Sequence, residues 1–197
     1  SYRTFVIDDT MRADHAALVQ DKLLNSNRLF TASTIGALRM QKDANEQTIL
    51  RVNANQADLA MQKAWNIIKP GMTEEDIASV IQNSFSDQGA LPQFSIVASG
   101  SNSAFPHHQT GSRELQVGDV IVIDLGGKFE GYASDITRMS SIGSPPKEYA
   151  LIHQIVEDAV CAALAVAMPG QICKNVDKAA RDVIEKAGFG KYFVHRT

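Results

Sequence analysis

The chain has 197 residues, of which 44% are apolar, and a formal net charge of −3 at pH 7. This length and apolar content suffice for a substantial core, and the chain lacks the basic excess typical of nucleic-acid-binding proteins. No apolar run approaches the roughly 18 residues of a membrane span and no N-terminal signal pattern is seen, so the sequence predicts a soluble cytoplasmic protein without membrane or nucleic-acid partners.

The first 38 residues have the pattern of a small α/β unit. Residues 4–8 predict a strand, residues 11–24 a helix and residues 28–32 a second short strand, which together make a βαβ-like piece. The segment Leu38-Arg39-Met40-Gln41-Lys42 follows it directly.

The rest of the chain repeats one pattern at an offset of 99 residues. In each copy a Pro-Gly pair separates two helices whose apolar residues recur at three- and four-residue spacing, and Thr73 with Asp76 predicts a helix N-cap in the first copy. This repetition predicts an α+β fold with two pseudo-symmetric αα-β halves. The matched positions are Pro70, Gly71, Gly89 and Phe94 in the first copy, and Pro169, Gly170, Gly188 and Phe193 in the second.

Two aspartates dominate the segment after the first pair of helices. Residues 120–123 form a short apolar, β-branched run that predicts a buried strand ending at Asp124. Gly126-Gly127 predicts a turn, and the returning strand brings Asp135 to the same level. Two such carboxylates repel each other unless a cation lies between them or one takes up a proton.

The aspartates also have a structural interpretation. An Asp beside a Gly-Gly pair often forms a turn or a cap. An unpaired charge at the end of a buried strand is costly, however, and Thr137 can orient a liganding carboxylate next to Asp135. Hard divalent ions, or Co²⁺ and Zn²⁺ with added nitrogen ligands, suit the pair.

Three motifs resemble one known family. The run DLGGKFEGYASDITR matches D-x-G-x(4)-G-Y-x-S-D-x-T-R at every fixed position, NSAFPH resembles N-x-A-x-P-H, and FVHRT resembles the opening of F-x-H-x-x-G-H-G. These are the motifs of the M24 metallopeptidases, which include methionine aminopeptidase, prolidase and aminopeptidase P and have the pita-bread fold. Taken without this resemblance, either histidine of these motifs has an ordinary structural interpretation: His107 as a solvated loop residue and His195 as a core residue at the end of a strand.

The resemblance implies a role for each site residue. Asp124 and Asp135 bind two divalent metal ions, Mn²⁺, Co²⁺, Zn²⁺ or Fe²⁺, which activate a water molecule for peptide hydrolysis. His107 hydrogen-bonds the substrate during turnover, His195 lines the substrate pocket, and Thr137 supports the metal ligands.

The N-terminal residues imply a branch of the family. Residues 1–38 resemble the tail of the domain that precedes the catalytic domain in prolidase and aminopeptidase P, which leaves 39–197 as the catalytic domain. Methionine aminopeptidases lack this domain. We therefore expect a metallo-exopeptidase that cleaves the bond before proline, acts on short peptides with proline at the second position, and forms a homodimer.

The second copy of the repeat is shorter than the first. If the two halves match in length, roughly 45 residues are missing after Thr197. In the family that region holds a ligand histidine and two ligand glutamates, so we expect the chain alone to be inactive and to bind metal weakly or not at all.

Three alternatives stay open from the sequence. A methionine aminopeptidase shares the fold and the metals, whereas a creatinase-like amidinohydrolase shares the fold without the metals. A pita-bread pseudoenzyme that binds peptides or proteins without catalysis would be expected to have eroded ligands. Retention of both Asp124 and Asp135 favours a peptidase.

Overall fold

The computed structural model describes residues 3–196, which form six α-helices and six β-strands besides short 3-10 turns. In chain order they are β1 Thr4–Ile7, α1 Ala13–Lys22, β2 Asn27–Phe30, α2 Ile35–Met40, α3 Ala44–Ile67, α4 Glu74–Asp87, β3 Leu91–Ser99, β4 Val120–Phe129, β5 Tyr132–Ala133, β6 Ile136–Ser141, α5 Tyr149–Val166 and α6 Cys173–Lys186. After β2 the chain forms three helices, then four strands and then two helices, and separate runs of this kind are typical of the predicted α+β class.

The strands form two sheets. β1 and β2 are parallel and in register from Thr4 opposite Asn27 to Ile7 opposite Phe30, with α1 between them in the chain. The predicted βαβ unit is therefore confirmed. In the other sheet β4 pairs with β3, β5 and β6, and its pairing with β5 is antiparallel.

The chain divides into two units. The first comprises the described residues up to 66 together with 78–95 and 124–137, and the second comprises 67–77, 96–123 and the described residues from 138 onward. The predicted boundary near residue 38 stays a prediction.

In the first unit the long helix α3 supports the β4–β5 hairpin. Its buried side chains recur every three or four residues, as a helix packed along one face requires. Asn53, which is fully buried, donates a hydrogen bond of 2.5 Å to the carbonyl oxygen of Tyr132 in β5. The buried residues of α3 are Asn53, Gln56, Ala57, Ala60, Met61 and Ala64.

The hairpin turn lies four residues later than predicted. Gly126 and Gly127 lie inside β4, and the chain turns at Glu130 and Gly131, whose φ angles are +50° and +88°. Two consecutive positive φ angles in a two-residue loop match the twist of the flanking strands. The prediction of a turn at Gly126-Gly127 was wrong because close packing demands these glycines: a Cβ at Gly126 would lie 2.4 Å from the carbonyl oxygen of Ser134.

The 99-residue repeat is present in the backbone. α6 begins and ends 99 residues after α4, and α5 ends 99 residues after α3. The matched glycines share a left-handed conformation, with φ of +86° at Gly71 and +84° at Gly170. The predicted strand at Phe193 is wrong, because this residue follows a 3-10 turn over Gly190–Tyr192, whereas Phe94 lies in β3.

In the second unit α5 and α6 pack as a pair. Their contact is built from Ala159 and Ala163 of α5 against Ala180 and Ile184 of α6, and the small alanine side chains let the two helices approach closely. Polar residues interrupt the apolar residues of α5, in line with the expectation of no long apolar run, but the helix has 18 residues. By length and composition this helix could cross a membrane, which is weak evidence because core helices pass the same criteria.

Candidate active site

The two predicted metal ligands lie in the first unit. Asp124 is in β4 and half-buried, whereas Asp135 is exposed in the two-residue gap between β5 and β6. The prediction that both aspartates lie on strands is thus correct for Asp124 and wrong for Asp135. Backbone pairing with β4 is incomplete just before Asp135: the N–H of Ser134 donates to the carbonyl oxygen of Gly127 (2.8 Å), whereas the N–H of Gly127 donates to the Ser134 hydroxyl (3.2 Å).

Thr137 contacts the first of these aspartates. Its hydroxyl lies in β6 and donates a hydrogen bond of 2.7 Å to Oδ1 of Asp124. This bond fixes the position of one carboxylate oxygen. The contact is of the kind that orients a carboxylate toward a cation.

The electrostatics of the pair indicate mutual repulsion. Partial burial of its carboxylate, and then the negative charge of Asp124, raise the pKa of Asp135. A nearby like charge raises a carboxyl pKa because ionising the second group costs additional energy. Either a proton or a cation bound between the two carboxylates relieves this cost.

The carboxylates of Asp124 and Asp135 suit a hard divalent cation but are too few to coordinate it alone. Two carboxylates that repel each other provide the oxygen ligands that Mn²⁺ prefers, and they can also serve Co²⁺, Zn²⁺ or Fe²⁺. Within residues 3–196 no group of three or more His, Cys, Asp or Glu side chains could hold a metal ion. Asp124 and Asp135 could therefore supply only part of a coordination sphere.

The two predicted substrate-contacting histidines lie in the second unit, where the fold brings them together. The ring centroids of His107 and His195 are 6.0 Å apart, and the rings meet edge to face at 89°. Both side chains are exposed. Two motifs 88 residues apart in the sequence thus present their imidazoles at one surface.

The segment that carries His195 is fixed by an arginine that was not predicted from the sequence. Arg181 in α6 donates to the carbonyl oxygens of Phe193 (3.1 Å) and His195 (2.9 Å), and its guanidinium lies 4.6 Å from the centroid of the Phe193 ring. Asp177, one helical turn earlier, accepts two hydrogen bonds from the same guanidinium, at 3.0 and 3.1 Å. The spacing of Asp177 and Arg181 is the only sequence pattern that indicates this arrangement.

A buried carboxylate in the second unit was also not predicted. Glu74 begins α4 and is fully buried. Burial alone would raise its pKa, but hydrogen bonds from Ser99, Asn102 and His108 outweigh burial, and the pKa is lowered. The sequence indicates only an acid next to the N-cap Thr73, because the donors lie 25 or more residues away.

The family profile described as metallopeptidase family M24 matches residues 48–197, and the chain belongs to this family. The Xaa-Pro dipeptidase of Pyrococcus furiosus is 37% identical over 160 residues, which cover 80% of this chain and 46% of that protein. The crystal structure of the dipeptidase PepE from Mycobacterium ulcerans superposes with a TM-score of 0.90 at 38% identity, covering 98% of this chain and 53% of the other.

A prolidase gives the same result. The structure of the prolidase from Pyrococcus furiosus superposes with a TM-score of 0.86 at 33% identity and covers 98% of this chain and 58% of that one. The predicted pita-bread fold and family are thereby confirmed. The chain spans about half the length of the relatives it matches.

Proposed function

We propose that the complete protein is a metal-dependent exopeptidase that hydrolyses the peptide bond before proline. Membership of a metallopeptidase family supports hydrolysis, and the Xaa-Pro dipeptidase and prolidase among the relatives support the proline preference. The main structural support is the mutual repulsion of Asp124 and Asp135, which a cation bound between them would relieve.

Each site residue has a proposed role. Asp124 and Asp135 would hold two divalent metal ions, which when bound supply an activated water molecule and polarise the scissile carbonyl. Thr137 keeps Asp124 in its liganding orientation through the 2.7 Å hydrogen bond. His107 would donate a hydrogen bond to the substrate as negative charge develops, and His195 would contact the residue on the leaving side.

The alternatives are less well supported. The N-terminal β1-α1-β2 unit favours the prolidase branch over methionine aminopeptidases, which lack the domain that it resembles. Both aspartates are present, which favours a peptidase over a creatinase-like enzyme or a pseudoenzyme. We further propose a cytoplasmic homodimer, with the 197-residue chain inactive by itself.

Peptide hydrolysis with added metal tests the proposal. The complete protein, freed of metal and resupplied with Mn²⁺, Co²⁺, Zn²⁺ or Fe²⁺ in turn, is assayed on Xaa-Pro dipeptides, longer Xaa-Pro peptides and Met-Ala peptides. We expect turnover of the Xaa-Pro substrates to depend on metal and to be lost in Asp135→Asn, because a neutral amide is a poor ligand for a hard cation. Preference for Met-Ala peptides, or full activity of Asp135→Asn, would refute it.

A further inference from the structure

The carboxylate of Glu74, in the second unit, has five hydrogen-bond contacts. Its Oε1 accepts from the backbone N–H of Ser99 (2.8 Å), the Ser99 hydroxyl (2.7 Å) and Asn102 Nδ2 (3.0 Å). Its Oε2 is 2.8 Å from Nε2 of His108 and accepts a longer bond of 3.4 Å from the backbone N–H of Gly111. The carboxylate is ionised because its pKa is lowered, so Nε2 of His108 carries the proton and donates.

These contacts lie on both sides of His107. Glu74 contacts Asn102, which lies five residues before His107, and His108, which directly follows it. Between them the backbone is fixed by two further bonds, from the N–H of Phe105 to the carbonyl of Asn102 and from the N–H of His108 to the carbonyl of Phe105, both 3.1 Å. The loop is therefore attached at each flank to one buried charge.

The support for Glu74 is itself held in place. Arg113 donates two hydrogen bonds to Asp119, at 2.6 and 3.0 Å, and a third to the Ser99 hydroxyl. The Ser99 hydroxyl thus accepts from Arg113 and donates to Glu74. A buried charge with a complete set of partners is rigid, because each broken bond would leave an unsatisfied buried group.

The exposed side chain of His107 contrasts with this support. His107 has its ring at the surface near that of His195, whereas the adjacent His108 turns inward to Glu74. Thr73 and Asp76 already cap the N-terminus of α4 with hydrogen bonds of 3.1 and 2.9 Å. The helix therefore does not need Glu74 as a cap, and the bonds from Glu74 to a loop 25 to 37 residues away need another explanation. The hydrogen bonds to Glu74 are explained if they hold the His107 loop in place.

We propose that Glu74 and His108 are positioning residues that fix the loop carrying His107 for hydrogen bonding to the substrate. The proposal rests on the proposed function for the role of His107, but not for the loop anchoring itself. His108 acts only through its neighbour: its donated proton holds the backbone at residue 108, and the backbone in turn sets the direction of the His107 ring. A misplacement of about 1 Å at such a group costs on the order of 10²-fold in rate.

The test uses the complete, metal-loaded protein and three single variants. His108→Leu removes the donor, whereas His108→Gln keeps an N–H group able to reach Glu74. His153→Gln is the matched control, because His153 faces Glu157 at 4.0 Å in an exposed pair on α5. We expect His108→Leu to lower kcat on Xaa-Pro peptides by about 10- to 100-fold with KM changed less than about twofold. His108→Gln and the control should stay within about threefold of wild type.

A double variant separates positioning from a general loss of folded protein. If His108 acts through His107, adding His108→Leu to His107→Ala should cost less than about twofold more, because the group being positioned is already absent. Metal content and thermal midpoint are measured on each variant. A His108→Leu rate within twofold of wild type, or a full multiplicative loss in the His107→Ala background, would overturn the proposal.

Amide hydrogen exchange gives a readout that does not need activity. The N–H groups of Phe105 and His108 should exchange about tenfold faster or more in His108→Leu, and at the wild-type rate in His108→Gln and in the control. If wild-type protein has no peptidase activity, the proposed function fails while this comparison still tests the anchoring. Unchanged exchange in His108→Leu would overturn the inference even in an active enzyme.

Discussion

Substitution of Gly127 by alanine tests why β4 contains two adjacent glycines. An added Cβ would lie 2.5 Å from the Cδ1 and Cε1 atoms of Phe85, whose side chain is fully buried. Carbon atoms in contact prefer about 3.5 to 4.0 Å, so the ring or the strand must move by about 1 Å. Overpacking of this kind costs about 1–3 kcal/mol. We expect Gly127→Ala to lower the urea midpoint by that free energy with an unchanged m-value.

Two controls make this test specific. In a Phe85→Leu background the added methyl group has room, so Gly127→Ala should cost less there by about 1 kcal/mol or more. Gly131→Ala places a Cβ with no atom within 4 Å but at a φ of +88°, so its cost is backbone strain of about 1–2 kcal/mol, which Phe85→Leu should leave unchanged. Equal costs of Gly127→Ala in both backgrounds would refute close packing as the reason for this glycine.

Three further predictions concern charged and catalytic groups. His107→Ala should retain metal, measured by elemental analysis, and lose about 10²- to 10³-fold in kcat, because one transition-state hydrogen bond is removed; a loss below fivefold would contradict the role. The folded-state pKa of Asp135 is raised, so ionisation of its carboxyl group destabilises the folded protein as pH rises through that pKa. Metal-free Asp135→Asn should therefore be more stable than wild type at pH 7. Below the unfolded-state pKa of about 4 the variant should have no such advantage. Urea unfolding at pH 7 and pH 3 decides this, and a less stable variant at pH 7 would contradict it. The hydrogen bond from Arg113 lowers the folded-state pKa of Asp119, so that pair stabilises the protein above pH 4 and the stabilisation fades as pH falls through the lowered pKa. Asp119→Asn should therefore cost about 1–3 kcal/mol at pH 7 and progressively less below pH 4, and a loss independent of pH would exclude the ion pair as its cause.

Local patterns predicted several elements because their causes lie close together in the sequence. Thr73 and Asp76 form the predicted capping pair, with bonds of 3.1 and 2.9 Å across three residues. The parallel pairing of β1 and β2 follows from a strand, a helix and a strand within 30 residues. The repeat was also visible, because the positive φ angles at Gly71 and Gly170 demand the same residue at an offset of 99.

The features that the sequence did not predict depend on contacts between distant residues. A glycine that forms a turn and a glycine that makes room for a neighbouring side chain cannot be distinguished in the sequence. Gly127 and Gly131 therefore had the same interpretation until the position of Phe85 was known. Asp135 lies outside the strands, next to a Ser134 hydroxyl that accepts the N–H of Gly127 in place of a backbone carbonyl, and strand propensity does not anticipate this side-chain bond. The hydrogen-bond partners of Glu74 could not be predicted from the spacing of apolar residues either.

The carboxylate of Glu74 and the carboxylates of Asp124 and Asp135 differ in what surrounds them. Glu74 is fully buried yet has a lowered pKa, because donors from its own unit satisfy both oxygens. Asp135 has a raised pKa, because partial burial of its carboxylate and then the negative charge of Asp124 both disfavour its ionised form. Folding alone selects for arrangements like that of Glu74, in which every charge has a partner. Repulsion between Asp124 and Asp135 brings no benefit to the metal-free fold, and this is the physical argument behind the proposal that both carboxylates bind a cation.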